Sequence, residues 1–239
     1  MNLKIKLLNK TIYIPLNGLN VSRRMEFSLL RRYLGFTDQE RILDVACGDG
    51  YWTAKFAHQA KFAAGFDYNI KRLQQASTLY PNIQGLACSD AHFLPFRDDS
   101  FDAVVGVCVL EHFQDDLKAL RELRRVSKPG ARLALTVDSF SLPGISAQEK
   151  AKHAEKYNVH HWYCIADLTR VLADAGYGVL EHRYLLKAPL SAAFYRLAQK
   201  SPQFAYVLFP ISYPLSLIAD HLQRADESGF KLAVLAQAQ

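Results

Sequence analysis

RILDVACGDGYWTAKFAHQ, residues Arg41 to Gln59, places an apolar run, a two-glycine turn and a helical segment in immediate succession. Arg41 to Ala46 has the near-continuous apolar character of a strand buried on both faces, and Tyr51 to Gln59 has helical character. Between them, Asp44-Val45-Ala46-Cys47-Gly48-Asp49-Gly50 sets glycines where a backbone must approach a ligand with no side chain in the way. A dinucleotide fingerprint would need a third glycine at position 53, where Thr53 stands, and no Gly-Lys-Ser/Thr follows to make a phosphate-cradling loop.

The alternation continues on both sides of this stretch. Lys61 to Phe66 is a second apolar strand ending at Asp67, and Ile70 to Tyr80 is a helix stopped by Pro81. Ile83 to Cys88 is a third strand ending near Asp90, and Phe101 to Leu110 is a fourth, β-branched and almost wholly apolar. Asp115 to Ser127 carries Leu117, Leu120, Leu123 and Val126 at helical spacing, closed by Lys128-Pro129-Gly130. Ala131 to Val137 is strand five; Asp167 caps a helix that runs through Ala175 to Gly176; Gly178 to Leu186 is strand six and Gly229 to Ala236 the last strand. Upstream, Lys4 to Leu7 and Thr11 to Ile14 alternate like short strands, and Val21 to Tyr33 reads as a helix with its basic residues outward. Such alternation implies an α/β, doubly wound Rossmann-like sheet in one domain. Residues 1–40 form an N-terminal extension, 41–186 the binding core, 187–228 a helical and aromatic insertion that would serve as a lid, and 229–239 the last strand.

The 239 residues are 50% hydrophobic and 22% charged, which excludes a disordered or low-complexity chain. The net charge of +6 is local: Lys4, Lys6, Lys10, Arg23, Arg24, Arg31 and Arg32 face only Glu26 before position 37, and the rest of the chain balances. That end can attract an anionic partner such as a phospholipid surface, whereas a nucleic-acid partner is not indicated. Cys47, Cys88, Cys108 and Cys164 stand singly in apolar runs, read as buried thiols of a reducing cytoplasm. The first residues lack a secretory h-region, and Pro210 and Pro214 interrupt the uncharged run from Ser201 to Ala219, arguing against a membrane span.

In a doubly wound sheet, ligands bind beyond the carboxyl ends of the strands. Asp67, 23 residues after Asp44, is placed to accept both hydroxyls of an unmodified ribose and to repel a 2′-phosphate. Asp90 is placed to accept from an exocyclic amine such as that of adenine. The three strand ends together describe a pocket for an adenosine without phosphates, carrying a small zwitterionic tail.

At these residues the chain resembles the class I S-adenosylmethionine-dependent methyltransferases, most closely the small-molecule branch. LDVACGDGYW stands at the family's first motif, GFDYN at its ribose-binding acid, SDAHFLPFRDDSFDAVV at its adenine-contacting stretch, and VLEHFQDDLKALRELRRVSKPGARLALT at the segment after strand four. The resemblance implies S-adenosyl-L-methionine as donor, S-adenosyl-L-homocysteine as product, and strand order 3-2-1-4-5-7-6 with the last strand antiparallel. It implies that Asp44, Ala46, Gly48 and Gly50 hold the methionine portion, Asp67 the ribose, Asp90 with Ala91 the adenine, and that Val109 lies along the donor. The family usually has glycine where this chain has Ala46.

Methyl transfer from a sulfonium is an in-line displacement for which orientation can supply roughly 7 to 11 kcal/mol, and a neutral histidine can take a proton from a hydroxyl acceptor. His112 directly after strand four is the first candidate and His161 the second, with His160, Tyr163 and Asp138 near the same rim. Glu111 and His112 alone do not make a metal site, so no metal is expected. The aromatic residues of 187–228 favour an apolar or ring-bearing small-molecule acceptor, with peripheral membrane contact at the inner surface; the same segment is compatible with a homodimer interface. Two other readings stay open, a non-catalytic cofactor-binding protein and a methyltransferase acting on a macromolecule. Against the second, no Asn/Asp-Pro-Pro-Tyr/Phe tetrapeptide follows strand four.

Overall fold

The computed structural model describes residues 18–223 and 227–239, so the strands expected at Lys4 to Leu7 and Thr11 to Ile14 lie outside the described residues. The elements are α1 (Val21–Leu34), β1 (Arg41–Val45), α2 (Tyr51–Ala57), β2 (Phe62–Asp67), α3 (Ile70–Leu79), β3 (Gly85–Cys88), β4 (Phe101–Val107), a single 3-10 turn (Leu110–His112), α4 (Asp116–Val126) and β5 (Ser127–Asp138). They continue as α5 (Ala147–Tyr157), α6 (Ile165–Asp174), β6 (Tyr177–Leu185), α7 (Pro189–Lys200), α8 (Pro202–Leu222) and β7 (Lys231–Ala238). The seven strands lie in the order β3-β2-β1-β4-β5-β7-β6, with β7 antiparallel to both of its neighbours.

Period-two alternation divides the core into two layers. Leu43 and Val45 of β1, Val104 of β4 and Leu133, Leu135 and Val137 of β5 face the layer closed by Leu120 and Leu123 of α4 and Leu168 and Leu172 of α6. Ile42, Ala103, Val105 and Ala134 face the opposite layer, with Met25 and Leu30 of α1, Phe56 of α2 and Tyr195 of α7. The parallel strands are apolar on successive positions because both faces are covered. Helix α1 is therefore part of the core. It starts at Asn20, whose side chain accepts from Arg23 N at 3.1 Å, and ends at Gly35 in the left-handed conformation at φ 48°.

Several expectations are corrected. Arg23 does not point outward: its guanidinium donates to the Val107 carbonyl at 3.0 Å, at the tip of β4. Residues 128–130 do not close α4 but belong to β5, which begins at Ser127 with a register shift opposite Phe101 and Ala103. Cys164, not Asp167, precedes α6. Only Cys108 is buried; Cys47 is half-buried, and Cys88 and Cys164 are exposed. Helix α5, capped by Ser146, has a polar sequence with His153 its one buried residue, so no periodicity announced it. Helix α8 runs unbroken through Pro210 and Pro214, both on its exposed side, where the carbonyls they leave without a donor can be solvated. Its Asp220 is buried and accepts from the backbone of Leu186 (2.6 Å), Lys187 (3.1 Å) and Ala188 (3.0 Å), tying α8 to the entry of α7. Among the described residues no helix is long and apolar enough to cross a membrane.

Candidate active site

A cleft of about 800 Å³ opens over the tips of β1, β2, β3 and β4, at the point where the strand order reverses. Asp44, Ala46, Gly48, Asp67, Asp90, Ala91, Val109 and His112 all line it. Gly50 and His161 do not. Gly50, at φ 77°, sits at the start of α2, and a Cβ there would meet Ala76 Cβ and Ile83 Cδ1 at 2.8 Å, so it lets the turn pack on α3. His161 directs its ring to the carbonyl of Gln114, a cleft-lining residue, at 3.4 Å.

The floor of the cleft is acidic. Asp67 is buried, with Oδ2 accepting from Gly48 N at 2.9 Å and Oδ1 from Asn69 N at 2.8 Å, so it braces the glycine turn from the neighbouring strand. Asp44 is also buried and accepts from Thr53 Oγ1 at 2.5 Å. Burial, with the negative charges of Asp67 and Asp49, pushes its carboxyl up to about 7 against the lowering effect of Thr53. Asp90 by contrast is exposed and accepts from the backbone N–H of His92 at 2.9 Å and from its ring; the backbone bond in particular holds it below the usual carboxylate range. Ala46 and Cys108, which follow the two central strands β1 and β4, are both left-handed at φ 50°. A glycine would be free of strain at position 46.

Behind β4 lies a second cavity of about 210 Å³, walled by α1, α5, α7 and α8. His112, Arg23, Cys108, Tyr157, Tyr206 and Asn20 line both cavities and form the septum between them. His112 Nδ1 lies 3.2 Å from the Asn158 carbonyl, and burial lowers the affinity of its ring for a proton, so the imidazole is neutral near pH 7. His160 lines the cleft, but its ring is directed to Asn158 Nδ2 at 3.1 Å. Tyr163 donates to Asp116 at 2.6 Å and lines neither cavity.

Arg23, Glu111, Asp138 and Lys231 line the second cavity, with Glu26 buried beside Arg23, a cluster that the sequence reading did not assemble. Glu26 of α1 is fully buried and accepts from Ser22 (2.6 Å), Thr136 (2.7 Å) and Cys108 Sγ (2.8 Å). Burial opposes its ionisation, yet Arg23 and Lys231 hold it below the usual carboxylate range. Asp138, buried at the end of β5, binds the Lys231 ammonium and lies 2.8 Å from His153 Nε2. Lys231 and His153 outweigh burial and keep Asp138 strongly acidic, whereas Glu111, buried beside it, is pushed up to about 8. Cys108, Glu111 and Asp138 bring potential ligand atoms within 4.8 Å of one another in a group that does not include His112, and the Lys231 ammonium is bound to its Asp138. Arg23 was counted only as surface charge, while Glu26 and Lys231 carried no local signal at all.

Residues 43–135 match the family model described as a methyltransferase domain. A protein of Encephalitozoon cuniculi provisionally named a methyltransferase is 28% identical over 186 residues, 68% of this chain and 83% of the relative. A ubiquinone/menaquinone biosynthesis C-methyltransferase of Teredinibacter turnerae is 37% identical over 135 residues, 52% of this chain and 53% of the relative. The chain carries a methyltransferase domain at residues 43–135 and resembles the class I S-adenosylmethionine-dependent methyltransferases. The match spans about half the length of that quinone-pathway relative. A crystal structure of an S-adenosylmethionine-dependent methyltransferase from Mesorhizobium loti shares the methyltransferase fold at a TM-score of 0.64 and 18% identity, over 91% of this chain and all of the other. S-adenosylmethionine, a phosphate-free nucleoside with a cationic tail, suits a cleft lined by Asp44, Asp49, Asp67 and Asp90 in a chain whose sequence has no phosphate-cradling Gly-Lys-Ser/Thr loop.

Proposed function

We propose that this chain transfers the methyl group of S-adenosylmethionine to a ring-bearing, largely apolar small molecule held in the cavity behind β4. The carrying observation is the septum: His112, Arg23, Cys108, Tyr157, Tyr206 and Asn20 each border both the strand-tip cleft and the second cavity. Asp67 would take the ribose, Asp90 and Ala91 the adenine, and Asp44, Ala46 and Gly48 the methionine end, with Gly50 supporting the turn and Val109 lining the donor's path. When bound, the sulfonium supplies an electrophilic methyl group. The chain's part is to orient an acceptor across the septum, exclude water and, for a protic acceptor, receive one proton at the neutral imidazole of His112. His161 would assist only by shaping the loop that carries His160.

Tyr157, Tyr195 and Tyr206 wall the acceptor side, which favours a flat ring, and the C-methyltransferase similarity points the same way. Helices α7 and α8 serve as the lid of this reading. The setting we propose is the cytoplasm, next to a membrane from which an apolar acceptor can be drawn, with the chain acting alone or as a homodimer.

The test has two parts. Titration calorimetry should show micromolar-range binding of S-adenosylhomocysteine, weakened about 10- to 100-fold in Asp67→Ala, as loss of a charge-assisted bond worth roughly 1.5 to 3 kcal/mol predicts. Absence of binding to the unaltered chain ends the enzyme reading. A screen for tritiated-methyl transfer, sorted by extraction into organic solvent, should then place the label in the lipophilic fraction; label in protein or nucleic acid would replace the acceptor class.

A further inference from the structure

Lys231 opens β7 as a charged residue followed by apolar ones, and it lines the second cavity at 5% exposure. An ammonium has three N–H donors and no acceptor, and a buried charge is tolerated only when its hydrogen bonds are met. Among the described residues Asp138 alone accepts from it, so the other donors have no protein acceptor. The Tyr195 ring lies beside the ammonium, its centroid 5.8 Å from Nζ.

The neighbouring charges decide what can meet those donors. Arg23 faces Glu26 at 3.5 Å and Lys231 faces Asp138, so each cation of the cluster is matched by an ionised acid. Glu111, pressed by burial and by Asp138, is pushed up to about 8 and is mostly neutral at pH 7, and burial with Glu26 keeps the Cys108 thiol neutral as well. A further negative charge is unwelcome in such a place. A neutral oxygen is not, because it accepts from the ammonium and adds no charge. The cavity of about 210 Å³ has room for it on a substituted single ring, since about 150 Å³ already holds benzene.

We propose that Lys231 selects the acceptor: its ammonium, steadied by Asp138, donates to a neutral carbonyl or hydroxyl oxygen on the ring held in this cavity. The proposal rests on the reading of the cavity as the acceptor site, and adds that the ring is oxygenated rather than a plain hydrocarbon. A charge-assisted bond of this kind is roughly twice as strong as one between neutral groups. A ring without the oxygen leaves the same donors buried and unmet, the circumstance in which a site rejects an analogue most strongly. The bond also orients the ring. Lys231 lines only the second cavity whereas His112 borders both, so a ring anchored by its oxygen at Lys231 keeps another edge for the septum.

Titration calorimetry on the full chain, saturated with S-adenosylhomocysteine to fill the strand-tip cleft, tests this with single-ring probes of similar shape. 4-Methylphenol should bind roughly 10- to 100-fold more tightly than 1,4-dimethylbenzene, which carries a methyl group in place of the hydroxyl. 4-Methylbenzoate, whose oxygens are charged at pH 7, should bind more weakly than the phenol. In Lys231→Met/Asp138→Asn, which leaves neither partner of the pair stranded, the preference for the phenol should shrink to within about 3-fold, with S-adenosylhomocysteine binding as the check on folding. Equal binding of the phenol and the hydrocarbon to the unaltered chain overturns the proposal while leaving the cavity an acceptor site. Tighter binding of the benzoate overturns it too, because the ammonium would then be waiting for an anion, and so does a preference for the phenol that persists in the folded double variant. If S-adenosylhomocysteine binds and no ring does, the cavity is not the acceptor site and the proposal falls with that part of the methyl-transfer reading. Should the double variant fail to fold, the comparisons on the unaltered chain still decide.

Discussion

On the cofactor side of the septum, the bonds that shape the site join near neighbours in the chain. Asn69 N to Asp67 spans 2 positions, Thr53 to Asp44 spans 9 and Gly48 N to Asp67 spans 19. Around the second cavity, Cys108 to Glu26 spans 82, Lys231 to Asp138 spans 93 and Thr136 to Glu26 spans 110. The first set is written inside one stretch of βαβ sequence and exists to present backbone and carboxylates to a ligand. The second is a meeting of charges from α1, β4, β5 and β7 that forms only once the whole sheet is assembled. One side is therefore built mainly by local conformation, and the other by tertiary structure.

The sharpest way to break this contrast is to remove a charge from the assembled side. Lys231→Met leaves Asp138 with His153 alone and removes the second cation that holds Glu26 ionised. Taking one partner from a buried ion pair costs about 3 to 5 kcal/mol, so urea unfolding should register a loss of that size. Adding Asp138→Asn to the same chain should return part of it, because the stranded charge is then gone. If Lys231→Met alone costs less than about 1 kcal/mol, the cluster is solvated and the acceptor floor is not the tertiary knot that the distances describe.

This division also explains what was legible in the sequence. The alternation of strands and helices, the glycine turn and the acids Asp67 and Asp90 follow from periodicity and from residues placed at strand ends, whereas the strand order was implied by the family resemblance alone. Asp167 was misread because a helix-capping residue type two positions inside a helix gives the same local signal as one at its start. Arg23 was misread because a charged residue on an amphipathic helix normally faces water, whereas here the β4 tip supplies a carbonyl and Glu26 a counter-charge. Lys231 stood among apolar residues of the last strand, and nothing near it in sequence could reveal that Asp138 awaited it across the sheet. The prolines of α8 were read as breaks, since the rule for helix interiors does not say which face they occupy.

The cofactor side offers a prediction of middle size. Asp44, held up to about 7 by burial and by Asp67 and Asp49, is partly protonated at neutral pH in the ligand-free chain. A cationic donor in the cleft favours the carboxylate, so binding below that pH must expel a proton. The affinity for S-adenosylmethionine should consequently fall as pH drops from 8 to 6, approaching about tenfold per unit at the acid end. S-adenosylhomocysteine, which lacks the sulfonium charge, should show a shallower slope in the same calorimetric series, and Asp44→Asn should flatten both. Equal slopes for the two ligands would mean that Asp44 does not sense the sulfonium.

The smallest effect is expected where this chain departs from its family. Ala46 is held at φ 50°, a region that costs an L-residue roughly 1 to 2 kcal/mol, and it lines the cleft with Cys108 in the same conformation across from it. Ala46→Gly relieves that strain but also loosens the unfolded chain, which offsets part of the gain. A net stabilisation of about 0.5 to 1 kcal/mol should therefore appear in urea unfolding, with the midpoint moved and the slope unchanged. Methyl removal should leave the affinity for S-adenosylhomocysteine the same or slightly tighter. A loss of stability on Ala46→Gly would mean that the methyl group packs against the sheet strongly enough to outweigh its own strain. The turn would then be shaped by contacts from beyond its own stretch, as the acceptor floor is.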